Sequence, residues 1–333
     1  MSSQQSALDW LPAELVPVAL RLARADELEY QLGWECLYWS LHALEMKQVR
    51  RANGLIDVVV ERVRPIPPLI SMLFSEVINH LRAAIDNVVF HIVESLRGAP
   101  LPSDAASLVA MPIQQSGAGL SAWSNRRKRA VPELDTGTDL YDRIEKLQPY
   151  KSPAVATAIS ADFERFVGKM NLHGVHPLTL LQRYSNDDKH RAIRLAAART
   201  ITSGQGPGQY NITAEPVDAG FVIADGRDGT PREIDPRSVV HVQRPGSTIW
   251  VAPGMELAQI HTYVADVVIP TLLTGAPASP SLPRQLRLDD SGETVDERIR
   301  AGGGEPADKR VGEEAWIKAQ ELERDPPQRL PPP

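Results

Sequence analysis

The sequence predicts an α+β protein, with a mainly helical core that contains an embedded β element, a small antiparallel β section and a disordered C-terminal tail. Apolar residues recur at helical spacing over residues 12–200, and short β-branched runs follow over 201–274. Residues 275–333 are rich in Pro, Gly and charge. The expected organisation is therefore a helical core domain over 12–200, a β section with a closing helix over 201–274, and a flexible tail over 275–333.

The long elements of the core follow from the apolar pattern and from the residues that interrupt it. Leucines and valines near helical spacing predict a first helix over 12–49, with Asn53 and Gly54 as its stop. A β-branched run predicts a strand over 55–63, which prolines end. The clearest helix spans 71–96, because a single apolar stripe runs along its whole length and must be buried.

Shorter elements complete the prediction. Residues 99–136 are expected to be irregular, and further helices are expected over 139–147, 155–170, 177–199, 255–273 and, within the tail, 305–325. Ser185 and Asp188 have the spacing of a capping box, at which the helix over 177–199 could restart. Short strand-like runs are expected at 210–213, 220–224, 239–242 and 248–251.

Composition limits the classes of function. The net charge of −6 and a pI near 5.8 would repel nucleic acid, so any RNA contact needs a local basic patch. The single cysteine, Cys36, excludes an intramolecular disulfide framework and a thiolate metal cluster. The first residues do not resemble a signal peptide, and no run reaches about 18 uncharged apolar residues, so a cytoplasmic protein without membrane contact is expected.

The most informative stretch runs from Arg183 to Arg194. In a helix, Arg183, Asp187, His190 and Arg194 would lie at i, i+4, i+7 and i+11, on one stripe. An imidazole among cations can bind an anion and move a proton, which is what metal-free RNA cleavage requires. The alternative is an ion-pair network in which His190 packs between helices.

A second polar group lies on the helix over 71–96, on the side away from its apolar stripe. Asn79, Arg82 and Asp86 fall within about 60° of one another on a helical wheel. This face carries Asn, Arg, Asp and His where a solvated face usually carries Lys and Glu pairs, which indicates a specific hydrogen-bond network. The network is either structural or part of a functional site.

Two weaker patterns are also present. His173 and His176 could ligate a metal ion together with His190, although three or four convergent ligands are needed. The basic run from Arg126 to Arg129 beside Trp123 could contact a nucleic acid, but a solvated loop is favoured. The sequence lacks phosphate-binding glycine loops and the common hydrolase motifs, and no cofactor is expected.

Three segments resemble the signature blocks of a widespread group of bacterial and phage proteins without an assigned activity. The blocks are Asn79 to Asn87, which contains N-x-x-R-x-x-x-D, then Leu147 to Tyr150 with Q-P-Y, and Asn186 to Arg191 with N-x-D-K-H. The resemblance covers about residues 26–200. It implies a shared helical core and no particular reaction.

Arg183 and His190 are separated by six residues and resemble the R-x4–6-H motif of HEPN (higher eukaryotes and prokaryotes nucleotide-binding) helical domains. Many of these are metal-independent endoribonucleases with a site at a dimer interface. The resemblance implies RNA as partner, a homodimer, His190 as general acid/base and Arg183 as the group that stabilises the phosphorane. It departs from the family in Tyr184, where a polar residue is common, and in the embedded strands.

The remaining roles follow from the same resemblance. Arg194 or Arg82 would assist Arg183, Asp86 would orient Arg82, and Asn186 and Asp187 would orient the imidazole. The alternative is a non-enzymatic protein in which a buried polar network joins the two main helices. That network would consist of Asn79, Arg82, Asp86, Asn186, Lys189 and His190, and function would then lie in a partner surface or in the tail, which could bind another protein.

Overall fold

The structure is a computed structural model that describes residues 10–54, 56–157, 173–190, 193–202, 218–224, 236–278 and 281–324. It confirms the α+β class: helices form the body, and two three-stranded antiparallel sheets lie against it. The predicted strand at 210–213 and most of the predicted helix at 155–170 lie outside the described residues.

The helices are α1 Val16–Ser40, α2 Pro68–Arg97, α3 Ser103–Ala106, α4 Gly117–Asn125, α5 Asp139–Lys146, α6 Pro177–His190, α7 Pro253–Tyr263, α8 Ile269–Thr274, α9 Val295–Arg300 and α10 Ala307–Arg324. A π-helical segment, Val264–Val268, joins α7 to α8, and short 3-10 turns cover Ala13–Leu15 and Pro132–Leu134. None of the helices in these ranges combines the length and the apolar character needed to cross a bilayer.

Helix α2 is the central helix of the body. Pro68 lies in its first turn, where the missing N–H costs nothing, and Gly98 ends it at a φ of 70°. The predicted apolar stripe is buried from Leu73 to Val88, against α1, whereas Leu96 at the end of the stripe is exposed. The other face of α2 is left free for the polar residues that the sequence indicated.

The prediction of one helix over 12–49 is wrong beyond residue 40. Helix α1 ends at Ser40, and Leu44–Arg50 forms strand β1. This strand pairs antiparallel with β2, Ile56–Val63, and Gly54 at a φ of 82° lies in the turn between them. The residues of β1 are mostly helix formers, so only pairing with the β-branched strand beside them decides their structure.

The strands that the structure describes form two separate sheets. The first has the order β1-β2-β4, with β4 at Val222–Ala224. The second has the order β3-β5-β6, formed by Leu195–Thr202, Pro236–Gln243 and Trp250–Val251. The strands expected at 220–224, 239–242 and 248–251 are therefore confirmed, although they divide between the two sheets.

The prediction of a helix over 177–199 is also wrong beyond residue 190. Helix α6 ends at His190 without a restart at Ser185, and the chain then enters β3. Leu195 pairs with Val242 of β5, and Thr202 with Pro236. As with β1, a run rich in helix formers is held extended by a partner strand that is distant in sequence.

The large apolar core contains buried residues from each of the three regions that the sequence predicts, 12–200, 201–274 and 275–333. Leu22, Leu257 and Ile299 are examples, one from each region.

Helix α10 forms in the region where the sequence predicts a helix within the tail. It packs against α1 and is not an isolated helix, and its first residue, Ala307, is buried.

Candidate functional site

The polar face of α2 meets α6, so the structure brings together two of the sequence blocks. Near the end of α6, Asp188 accepts hydrogen bonds from two residues of α2. One comes from the Ser75 hydroxyl and the other from Asn79 Nδ2 at 3.0 Å. The first block and the third block of the sequence therefore contact each other directly.

Arg82 occupies the centre of this contact. Its Nε and Nη2 each donate to one carboxylate oxygen of Asp86 at 3.0 Å, which forms a two-point ion pair. Nη1 donates to Gln182 Oε1 at 3.2 Å on α6, and Nη2 also donates to the Met111 carbonyl at 2.6 Å. The side chains of Arg82 and Asp86 are 16% and 29% exposed, so solvent reaches the pair at its edge.

The loop over 111–115 links the first two blocks to each other and to α6. Asp86 Oδ1 accepts from the Met111 N–H at 2.8 Å. The fully buried Gln148 of the Q-P-Y block donates to the Pro112 carbonyl at 3.0 Å and accepts from Gln114 N–H at 2.8 Å. Gln115, at the end of the loop, donates to Thr179 of α6 at 3.1 Å. The loop thus holds α2, the Q-P-Y block and α6 in one hydrogen-bonded unit.

Three predicted residues of α6 lie at or near the surface beside this contact. Arg183 is exposed and forms no ion pair with a residue that the structure describes. Asn186 is exposed and accepts from Gln182 Nε2 at 2.8 Å, and Asp187 is half-buried. Lys189 and His190 lie in the last turn of α6, and their side chains are outside the described part of the chain.

The four-residue stripe that was expected on one helix does not form. Arg194 follows the end of α6 and directly precedes β3, so the i+11 relation to Arg183 does not apply. Its Nη1 donates instead to Gln243 Oε1 of β5 at 3.5 Å. Arg183 and His190 remain seven residues apart on α6, on neighbouring parts of one face.

Tyr184, which departs from the HEPN pattern, is a core residue. Its ring packs edge-on against Phe74 of α2 with 4.9 Å between the ring centres, and its hydroxyl donates to Glu256 Oε1 at 3.2 Å. Burial raises the pKa of the Tyr184 hydroxyl, and the neighbouring Glu256 carboxylate raises it further. The position thus anchors α6 to α2 and α7 and orients Arg183 outward.

Among the histidines considered for a metal site, the structure describes the ring contacts of His176. Both ring nitrogens of His176 face protein groups: Nδ1 accepts from Leu178 N–H at 3.2 Å, and Nε2 lies 3.4 Å from the Tyr263 hydroxyl. Burial lowers the pKa of His176 to about 4. Across the described ranges, no three His, Cys, Asp or Glu side chains are placed to hold a metal ion.

One arginine of the basic run beside Trp123 is committed to internal contacts. The Arg127 guanidinium lies 4.8 Å over the indole ring and donates to the carbonyls of Leu108 and Trp123. Trp123 is 5% exposed, so its ring is not free to stack on a base. Arg126, Lys128 and Arg129 are exposed around this packed pair.

Sequence reasoning missed several residues of the polar contact. Asp188 contacts α2, whereas the helical stripe predicted from the sequence contains its neighbour Asp187. Ser75 and Gln182 could have been found from their spacing. Each lies four positions before a predicted site residue on the same helix face, Asn79 and Asn186 respectively. Met111 and Pro112 take part through backbone N–H and carbonyl groups, which every sequence contains, so their residue types could not have indicated this role.

Comparisons of the chain with models of protein families, with curated proteins and with solved structures found no match. The resemblance to the three-block group, and that to HEPN domains, therefore stay predictions that rest on the sequence blocks.

Proposed function

We propose that this protein is a non-enzymatic binding protein, in which the Asn, Arg and Asp blocks join α2 to α6 and molecular recognition takes place elsewhere. One observation supports this above all: the N–H groups of the Arg82 guanidinium already donate hydrogen bonds to other groups of the protein. It makes two bonds to Asp86, one to Gln182 and one to the Met111 carbonyl.

The chemistry of an arginine makes this observation relevant. A guanidinium has five N–H donors, and four of those of Arg82 are already used. A phosphate could reach Arg82 only by displacing the Asp86 carboxylate, which would lose a second bond, to the Met111 N–H. The assistance to catalysis that the HEPN resemblance implies for Arg82 is therefore disfavoured, and a positioning role in the fold is favoured.

The substitution Arg82→Gln tests the structural role. Glutamine removes the charge, cannot form the two-point pair with Asp86 and leaves the Met111 carbonyl without its donor. We expect the free energy of unfolding in urea to fall by about 2 kcal/mol.

The matched control is Arg183→Gln, the same change at the exposed arginine of α6. It should alter the free energy of unfolding by less than about 0.5 kcal/mol. If the two variants were equally stable, the polar contact would not hold the helices together and the proposal would be wrong.

An RNA-binding or RNA-cleaving dimer is the second candidate, and a specific observation favours it. Arg183 is exposed on α6, seven residues before His190, and makes no ion pair with a described residue. It is therefore free to contact a phosphate, with His190 as the proton-transferring group.

The same variants separate the two candidates. A labelled single-stranded RNA is incubated in EDTA with the parent protein, with Arg183→Gln and with His190→Ala. The second candidate expects cleavage that both substitutions remove without a loss of stability. Our proposal expects no cleavage by the parent above the level of a buffer control.

A further inference from the structure

A cavity of about 780 Å³ lies between α1, α7, the π-helical segment and α10. Its walls are mostly apolar, with Gly33 from α1, Ala258 from α7, Val267 from the π segment and Val311 from α10. This volume is in the range of small-molecule sites. None of the residues of the α2–α6 polar contact lines the cavity, so ligand binding there is independent of the proposed role of that contact.

One wall of the cavity carries a buried acidic group with an unused oxygen. The Glu29 side chain is 3% exposed, and its Oε1 lies 2.8 Å from Nδ1 of the fully buried His261. Among the described residues, neither Glu29 Oε2 nor His261 Nε2 has a hydrogen-bond partner. A buried carboxylate whose second oxygen has no donor is poorly compensated, so a positive charge placed against this wall of the cavity would be attracted to it.

The charge of the residues that line the cavity favours a positively charged ligand. Three carboxylates line the cavity, those of Glu29, Asp266 and Asp308, and no Lys or Arg does so among the described residues. Asp308 pairs at 3.4 Å with Arg284, which lies outside the lining, whereas Asp266 has no ion pair within the described chain. Such a lining repels anions and attracts cations.

Asp266 also lies in an unusual backbone conformation. It belongs to the π-helical segment Val264–Val268, which interrupts the α-helical path between α7 and α8. Single π turns inside α-helices are rare and frequently occur at functional sites. This feature is independent of the charge argument and lies at the same cavity.

We propose that this cavity binds a small organic cation, an amine with an apolar body. The ammonium group would donate to Asp266, the buried Glu29 carboxylate would contribute its negative charge from behind the cavity wall, and the apolar body would contact the small and branched side chains of the walls. A bare metal ion does not fit, because no three ligating side chains converge in the described chain and much of the lining is apolar.

Three probes of the same shape test the charge preference. Isothermal titration calorimetry at pH 7 would use 4-phenylbutylamine as the cation, 4-phenylbutan-1-ol as the neutral analogue and 4-phenylbutyrate as the anion. We expect the amine to bind at least tenfold more tightly than the alcohol, and the carboxylate to bind least. Equal binding of the three probes, or no binding of the amine, would overturn the proposal.

Variants then locate the binding. Glu29→Gln and Asp266→Asn should each weaken the amine at least fivefold and leave the alcohol nearly unchanged. Glu27→Gln is the matched control, since Glu27 lies on the same helix, pairs with Arg24 at the surface and does not line the cavity. If Glu29→Gln fails to fold, Asp266→Asn at the cavity edge decides. Unchanged amine affinity in the folded variants contradicts the assignment.

Discussion

The side chain of His176 caps helix α6 from a buried position. Its Nδ1 accepts from Leu178 N–H, and its ring packs edge-on against Tyr263 with 5.2 Å between the ring centres. Acceptance of this hydrogen bond requires the neutral imidazole. Burial therefore lowers the pKa of His176 to about 4 from its ordinary 6.5, because a charged ring in this position would lose its hydration.

This shift predicts how the stability depends on pH. The unfolded chain takes up a proton at His176 below about pH 6.5, and the folded chain only near pH 4, so the contribution is complete above 6.5 and is lost as the pH falls towards 4. The loss should be about 2–3 kcal/mol between pH 7 and pH 4.5. Urea unfolding of His176→Asn, whose amide can still cap α6, should show a correspondingly smaller loss.

His42→Asn serves as the control, because His42 is exposed, and this variant should keep the pH dependence of the parent. Some dependence should persist in His176→Asn, since burial also lowers the pKa of His241 to about 4. If the His176→Asn profile matched the profile of the parent, the buried neutral imidazole would not be the cause.

At the scale of an element, α10 is attached to α1 by polar contacts in a row. Asp26, which is fully buried, accepts from the Arg310 guanidinium and from the Ala307 N–H at 2.7 Å. One turn further along α1, the Tyr30 ring lies 4.4 Å from the Arg310 guanidinium, and its hydroxyl donates to Glu314 at 2.8 Å. Burial raises the pKa of Asp26, so this carboxylate depends on its donors.

The close approach of the two helices also depends on the small residue Gly33. A Cβ atom at Gly33 would lie 2.8 Å from Val311 Cγ2, which is closer than normal van der Waals contact. A sequence with a larger residue here could form both helices, but the Val311 side chain or α10 itself would have to shift.

Removal of the arginine should release α10 before the rest of the fold. In Arg310→Ala, Asp26 keeps only one donor, and we expect the docking of α10 to weaken by about 2 kcal/mol. Amide hydrogen exchange in α10 should then be roughly thirtyfold faster, with little change in α2. Lys309→Ala, at the exposed neighbouring position, should exchange like the parent.

At the scale of the whole molecule, one buried ion pair connects the second sheet to the helices. Arg244, which follows β5, is 2% exposed and makes a two-point contact at 2.8 and 2.7 Å with Glu256 of α7. Glu256 also accepts from Tyr184 of α6, and Arg244 donates to the carbonyls of His173 and Ala156. Five positions in the chain, from Ala156 to Glu256, therefore meet at this pair.

Breaking the pair should destabilise the entire fold. In Glu256→Gln, the Arg244 guanidinium stays buried without a carboxylate, and we expect the free energy of unfolding to fall by about 3 kcal/mol in one cooperative urea transition. The exposed pair of Arg287 and Asp289 is the control, and Asp289→Asn should leave the free energy of unfolding nearly unchanged. A similar effect of both substitutions would show that burial of the pair is unimportant.

The sequence predicts those parts of the fold that depend on local pattern. The apolar stripe of α2 is visible because a helix repeats every 3.6 residues, and Pro68 and Gly98 mark its ends. The presence of a polar network on the opposite face follows from its composition, and Asn79, Arg82 and Asp86 do lie in one.

The parts that the sequence does not predict depend on partners distant along the chain. Leu44–Arg50 and Leu195–Thr202 contain helix formers and become strands only because β2 and β5 pair with them. This pairing removes Arg194 from the stripe on α6.

Composition and periodicity by themselves determined the α+β class, the amphipathic α2 and the residue types of the polar contact, because these depend on neighbours within a few turns. The tertiary structure alone decided that Asp188, and not Asp187, contacts α2, that the loop over 111–115 joins the first two blocks to each other and to α6, and that a cavity lined by three carboxylates lies beneath α10. The physical reason is that helix orientation, backbone hydrogen bonds and enclosed volume depend on how distant segments pack, and no local pattern of side chains records that packing.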